Sequence, residues 1–231
     1  MKKLIQGFIV CGLVVFMGVT ASGQTLSEKE MDAEYEKSEE AKKNKNYKRM
    51  VEIVKPLAEQ GHVKSQFRLG ALYLRGLGVE KNPTEGLKWT RLAAEQGNAK
   101  AQYNLGLNYA SGKSVPKDIK EAVKWYRLSA EQGYAKAQYK LGYYYLTGDG
   151  VPKDIKEGIK WSKLAAEQGY AKAQYNLGMA YASGTGVPKD IKEAIKWLKL
   201  AAEQGTAKAK AFLSKLEEEQ KITKNKDIND F

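Results

Sequence analysis

Cysteine and histidine each occur once in these 231 residues, and proline only five times. Tetrahedral zinc sites need several such ligands at short spacings. None exist here, and no metal or other cofactor is expected. No G-x-x-x-x-G-K-[ST] loop is present to cradle a nucleotide phosphate. The lone thiol, Cys11, has no partner for a disulfide, so stability must come from packing. Acidic residues are also in short supply: 27 against 39 Lys and Arg, a formal net charge of +12. That balance favours anionic partners such as nucleic acid, acidic proteins or envelope polymers. The plainer alternative is a solvated lysine-rich surface.

Residues 4–21, LIQGFIVCGLVVFMGVTA, form an apolar run that follows Lys2 and Lys3. A charged start, an apolar centre and a small-residue exit predict a signal peptide over residues 1–23, with cleavage after Ala21 or Gly23. The expected destination is the periplasm or the medium. Val10 precedes Cys11, where a lipidation signal would carry Gly, Ala or Ser. Retained, the run is long enough to serve as an anchor, and it is the chain's one expected link to a membrane.

The decapeptide AEQGYAKAQY stands at residues 130–139 and again at 166–175, 36 positions on. Other markers keep the same step. They include the turn glycines Gly61, Gly97, Gly133, Gly169 and Gly205, all four tryptophans (Trp89, Trp125, Trp161 and Trp197), and the Leu-Gly glycines Gly70, Gly106, Gly142 and Gly178. A catalytic constellation has no reason to recur at a fixed interval, whereas a stacking unit must.

Each unit reads as helix, loop, helix, turn. In the third, Ala137, Leu141 and Tyr145 fall four apart on a helix predicted over residues 135–147. Gly142 lies inside it at a cost of about 1 kcal/mol relative to alanine. Close approach of a neighbouring backbone is the expected compensation. Gly148 is placed to end the helix in a left-handed cap. Asp118, Asp154 and Asp190 each precede a Glu by three residues, the spacing of a capping box at the second helix. Tyr47, Met50, Ile53 and Leu57 give residues 28–61 the stripe of a degenerate first unit. Residues 206–218 predict a last helix, with a polar tail expected to fray.

These residues resemble the Sel1-like repeat, a relative of the tetratricopeptide repeat. Ala173-Gln174, Leu177-Gly178, Tyr181, Gly184-Thr185-Gly186-Val187, Asp190, Ala194, Trp197 and Ala201-Ala202 carry the likeness. Ser114 departs from it in one loop, Ser65 at a first-helix alanine, and Gly86 and Gly158 at a second-helix alanine. The resemblance implies an all-α fold, a right-handed superhelical solenoid of helix pairs. The expected organisation is a capping pair over 24–61, repeats over 62–97, 98–133, 134–169 and 170–205, and a final helix and tail over 206–231. It also implies a non-enzymatic adaptor that binds other proteins, and many bacterial relatives are exported.

By analogy with tetratricopeptide geometry, the first helices line a concave wall. That wall would carry Lys64, Lys100, Lys136 and Lys172 and, one turn on, Arg68, Asn104, Lys140 and Asn176. Phe67, Tyr103, Tyr139 and Tyr175 form an adjacent aromatic row, readable as a binding surface or as inter-repeat packing. Tyr143 stands at a register point that varies between copies. Lysine beside asparagine offers donors without a competing charge, suited to an extended acidic peptide. An anionic envelope polymer is a further candidate, and export argues against nucleic acid. The alternative function is a β-lactamase-like or peptidoglycan-binding activity, as described for cysteine-rich relatives. Ser114-Val115-Pro116-Lys117 has the required Ser-x-x-Lys spacing, but the partner motifs are missing.

Overall fold

The computed structural model describes residues 25–229, and the expected signal peptide at residues 1–23 lies outside them. Among the described residues the chain is all-α, with eleven helices packed in consecutive pairs as in a Sel1 helical-repeat solenoid. They divide into two compact units, one ending at Trp89 and the other beginning at Thr90.

The first unit holds α1 (Glu28–Lys43), α2 (Tyr47–Glu59), α3 (Val63–Arg75) and the start of α4 (Pro83–Glu95). Ser27 and Glu30 close a complete capping box at α1. Met50, Val54, Leu57, Leu69 and Leu72 form the core. The buried stripe of α2 is therefore broader than the sequence spacing predicts. Val54 is wholly buried while Tyr47 and Ile53 are half-buried, because α2 packs on both α1 and α3.

The second unit continues with α5 (Ala99–Ser111), α6 (Ile119–Glu131), α7 (Ala135–Thr147), α8 (Ile155–Glu167), α9 (Ala171–Ser183), α10 (Ile191–Glu203) and α11 (Ala207–Asn229). From α6 on, each packs on the helix before it. Leu105, Leu141, Leu177 and Leu198 are wholly buried. The last helix passes the expected end at residue 218 and runs to Asn229.

Two sorts of glycine hold the pattern. Gly133 has a φ of +84° with nothing near its missing Cβ, so it serves the turn. Gly142 serves space: a Cβ there would lie 2.6 Å from Ser162 Oγ and 2.9 Å from the Gly158 carbonyl oxygen. The close approach of α8 is thus the compensation expected for a mid-helix glycine.

The capping boxes of the second helices are half-formed. Asp118, Asp154 and Asp190 each accept from the amide of the Glu three residues on, at 3.0 Å. The glutamates do not reach back. The capping residues' own amides already donate to Tyr109, Tyr145 and Tyr181 carbonyls in the preceding helix. Glu121, Glu157 and Glu193 turn instead to Lys124, Lys160 and Lys196.

Side-chain amides join successive repeats. Buried Gln138 donates to the Ala130 carbonyl at 3.2 Å and accepts from Gln168 at 2.7 Å. Gln102 with Gln132, and Gln174 with Gln204, repeat the second bond. A buried amide must be paired, which is why glutamine recurs in both the first-helix and turn segments.

Candidate functional site

In the first unit the predicted cations are already engaged. Lys64 Nζ donates to Asp32 at 2.7 Å. Arg68 lies over the Tyr35 ring, 5.7 Å from its centroid, donates to the Tyr35 hydroxyl at 2.8 Å and pairs with Glu39. Asp32, Tyr35 and Glu39 share one face of α1, at steps of three and four. Hydrogen bonds from Lys64 and then His62 hold the Asp32 carboxyl below its ordinary range. Burial pushes Glu39 up, but hydrogen bonding from Lys42 and the Arg68 charge bring it below its usual value. Arg68 is thus committed to the fold. It is half-buried at 21% side-chain exposure, against 54% for Lys64.

His62, the sole histidine, is buried in the same cluster. Its Nδ1 meets Ser65 Oγ at 2.8 Å, its Nε2 meets Asp32 Oδ1 at 3.1 Å, and its ring stands edge-on to Tyr35. The order serine, histidine, aspartate has the look of a nucleophilic relay. Ser65 is 0% exposed, so a substrate has no path to its hydroxyl. The trio ties α3 to α1. Sequence reasoning missed it, although Ser65 at an alanine position and the single histidine were its signals.

In the second unit Lys100, Lys136 and Lys172 stand exposed, without a carboxylate partner among the described residues. Asn104, Lys140 and Asn176 follow one turn on, half-buried on the same helical faces. Tyr143 is next along α7, 47% exposed and edge-on to Tyr144. Lys136, Lys140 and Tyr143 therefore form a single open face.

The aromatic row divides differently. Tyr103 sits edge-on to Tyr134 at 5.3 Å and beside Tyr126 at 5.8 Å. Tyr139 meets Tyr170 at 5.2 Å, and Tyr175 packs on the Ala194 and Leu198 cluster. The Tyr103 and Tyr139 rings meet the tyrosine that precedes the next first helix, and Tyr175 packs on the helix that follows it, which is the packing reading. Burial raises the pKa of Tyr103, Tyr134 and Tyr170, and of Tyr126, whose hydroxyl has no partner among the described residues.

The structural tryptophans are buried or half-buried in the second helices, with Lys160 over Trp161 and Lys196 over Trp197. Ser114 and Lys117 are both exposed in the loop after α5. Ser114 does not take the left-handed conformation of Gly150 and Gly186, so this loop differs as its sequence predicts.

The family model described as Sel1 repeat matches residues 63–98, 99–134, 135–170 and 171–206. A solved Sel1 repeat protein from Oxalobacter formigenes is 41% identical, with a TM-score of 0.72 over 78% of this chain and 74% of that one. A protective antigen of uropathogenic Escherichia coli with an SLR fold is 43% identical, with a TM-score of 0.66 over 69% of this chain. This chain spans about a third, 34%, of that antigen. The immunity protein Pa5087 from Pseudomonas aeruginosa is 25% identical, with a TM-score of 0.50 over 80% of this chain and 73% of that one. No curated protein matches the sequence.

Proposed function

The chain belongs to the Sel1 repeat family, and from that premise we propose that it is a non-enzymatic adaptor that captures a protein or an extended acidic peptide. The observation that carries the reading is the set of exposed lysines at one register of α5, α7 and α9, without a carboxylate partner among the described residues. Residues needed for packing are buried in every repeat, and these are not. The likeness to a protective antigen and an immunity protein supports a binding role. Lys2, Lys3 and the apolar run after them support export to the periplasm or the medium.

The test is capture of acidic peptides by wild type and by a Lys100→Glu/Lys172→Glu variant. Capture should weaken while thermal stability is unchanged, because both side chains are exposed. Equal capture by the two proteins refutes the reading. A nitrocefin assay addresses the alternative chemistry at Ser114 and Lys117, and no turnover is expected.

A further inference from the structure

The exposed large apolar side chains of the second unit are not scattered. Leu128, Leu164 and Leu200, 44%, 37% and 37% exposed, stand at one register of α6, α8 and α10. Packing does not require leucine there. The same register of α2 carries exposed Pro56, and alanine, lysine or glutamate would serve a helix about as well. One exposed leucine is ordinary, whereas one repeated in each second helix marks a contact.

The charges around each leucine have a fixed polarity. Lys124, Lys160 and Lys196 precede the leucines by four residues. Glu131, Glu167 and Glu203 follow them by three, and all six charged side chains are exposed. Steps of three and four share a helix face. With a rise of about 1.5 Å per residue, the lysine lies about 6 Å toward the N-terminal end of its helix and the glutamate about 4.5 Å toward the C-terminal end. Such a face complements itself. Laid antiparallel on its own copy, leucine meets leucine and lysine meets glutamate. Laid parallel, lysine meets lysine. The pairs already present are exposed and exchange at little cost, such as Lys160 with Glu157 at 3.2 Å and Lys163 with Glu167 at 3.9 Å.

We infer that α6, α8 and α10 carry a homodimer interface, on which a second copy of this chain docks with each helix antiparallel to its counterpart. The face supplies its own complement, and its glutamates disfavour an anionic lipid surface. The inference goes beyond the adaptor reading and uses none of the lysines of α5, α7 and α9. Three partly exposed leucines per copy make the dimer weak and concentration-dependent.

Sedimentation equilibrium of the full chain tests it. The mass should rise toward twice the monomer's with concentration. Leu128→Ser/Leu164→Ser/Leu200→Ser should weaken association by roughly 10-fold or more. Lys124→Glu/Lys160→Glu/Lys196→Glu and Glu131→Lys/Glu167→Lys/Glu203→Lys should each stay monomeric alone and pair when mixed, because the mixture restores every opposite-sign contact. That recovery also requires both variants to be folded. A wild type monomeric at every concentration overturns the inference. So does a leucine variant that associates like wild type, or a mixture of the charge variants that does not pair. Leucine-dependent binding to anionic vesicles by a chain that never self-associates assigns the face to lipid and overturns it as well.

Discussion

Gly158 and Leu146 should be replaceable by alanine together at far less cost than their single effects imply. A Cβ on Gly158 would lie 2.7 Å from Leu146 Cγ and 3.0 Å from the Gly142 carbonyl oxygen. In the repeats before and after, the facing pairs are Ala110 with Ala122 and Ala182 with Ala194, both packed in their clusters. The larger side chain on α7 is therefore accommodated by the missing one on α8. Gly158→Ala alone overpacks the site at about 1–3 kcal/mol, offset by about 1 kcal/mol of helix propensity. Leu146→Ala alone removes a half-buried side chain, costing about 2 kcal/mol. The double variant recreates the Ala-Ala pair, so the clash disappears and the propensity gain remains. A coupling of about 1–2 kcal/mol in its favour follows, measured by urea denaturation of the four proteins. Additivity within about 0.5 kcal/mol would refute the argument that positions 146 and 158 are matched to each other.

Gln138→Ala removes one of the bonds to the Ala130 carbonyl, which keeps the Gly133 amide at 2.9 Å, together with the bond from Gln168, and should lower stability by about 1 kcal/mol in the same assay. In acid, Asp32 and Glu39 decide the behaviour of the first unit. Both carboxyls are held below their ordinary values, so their contribution is present above about pH 4.5 and is lost as pH falls through the folded-state values. The melting gap between wild type and Asp32→Asn/Glu39→Gln should close on acidification, and a gap independent of pH would contradict this. In alkali the sign reverses. Burial raises Tyr103, Tyr126, Tyr134 and Tyr170, so their stabilisation is full below about pH 10 and is lost as pH climbs through the raised values. Tyrosinate absorbance should lag behind that of free tyrosine and then rise together with loss of helical circular dichroism.

What the sequence made legible is local. Gly133 turns the chain because of its own φ, and Asp154 caps because the Glu157 amide is three residues away. Both facts survive in a one-dimensional reading, and the 36-residue step multiplies the signal. The glutamine ladder was less legible, because Gln138 and Gln168 are 30 residues apart and each alone looks like a polar surface residue. The compensation of Gly158 by Leu146 was hidden too, since each departs from the repeat pattern separately. Arg68 shows why the site was read only in part. Its helix and exposed register were predictable, but its partners, Tyr35 and Glu39, lie on a helix from the degenerate first unit. The tyrosine row had two readings until Tyr134 and Tyr170 were seen against it.

An extended acidic peptide with a photoreactive side chain, crosslinked to the full chain and mapped by mass spectrometry, tests the binding face most directly. Adducts should fall within residues 99–111, 135–147 and 171–183, the three first helices of the second unit. Adducts confined to α6, α8 and α10 would contradict the account.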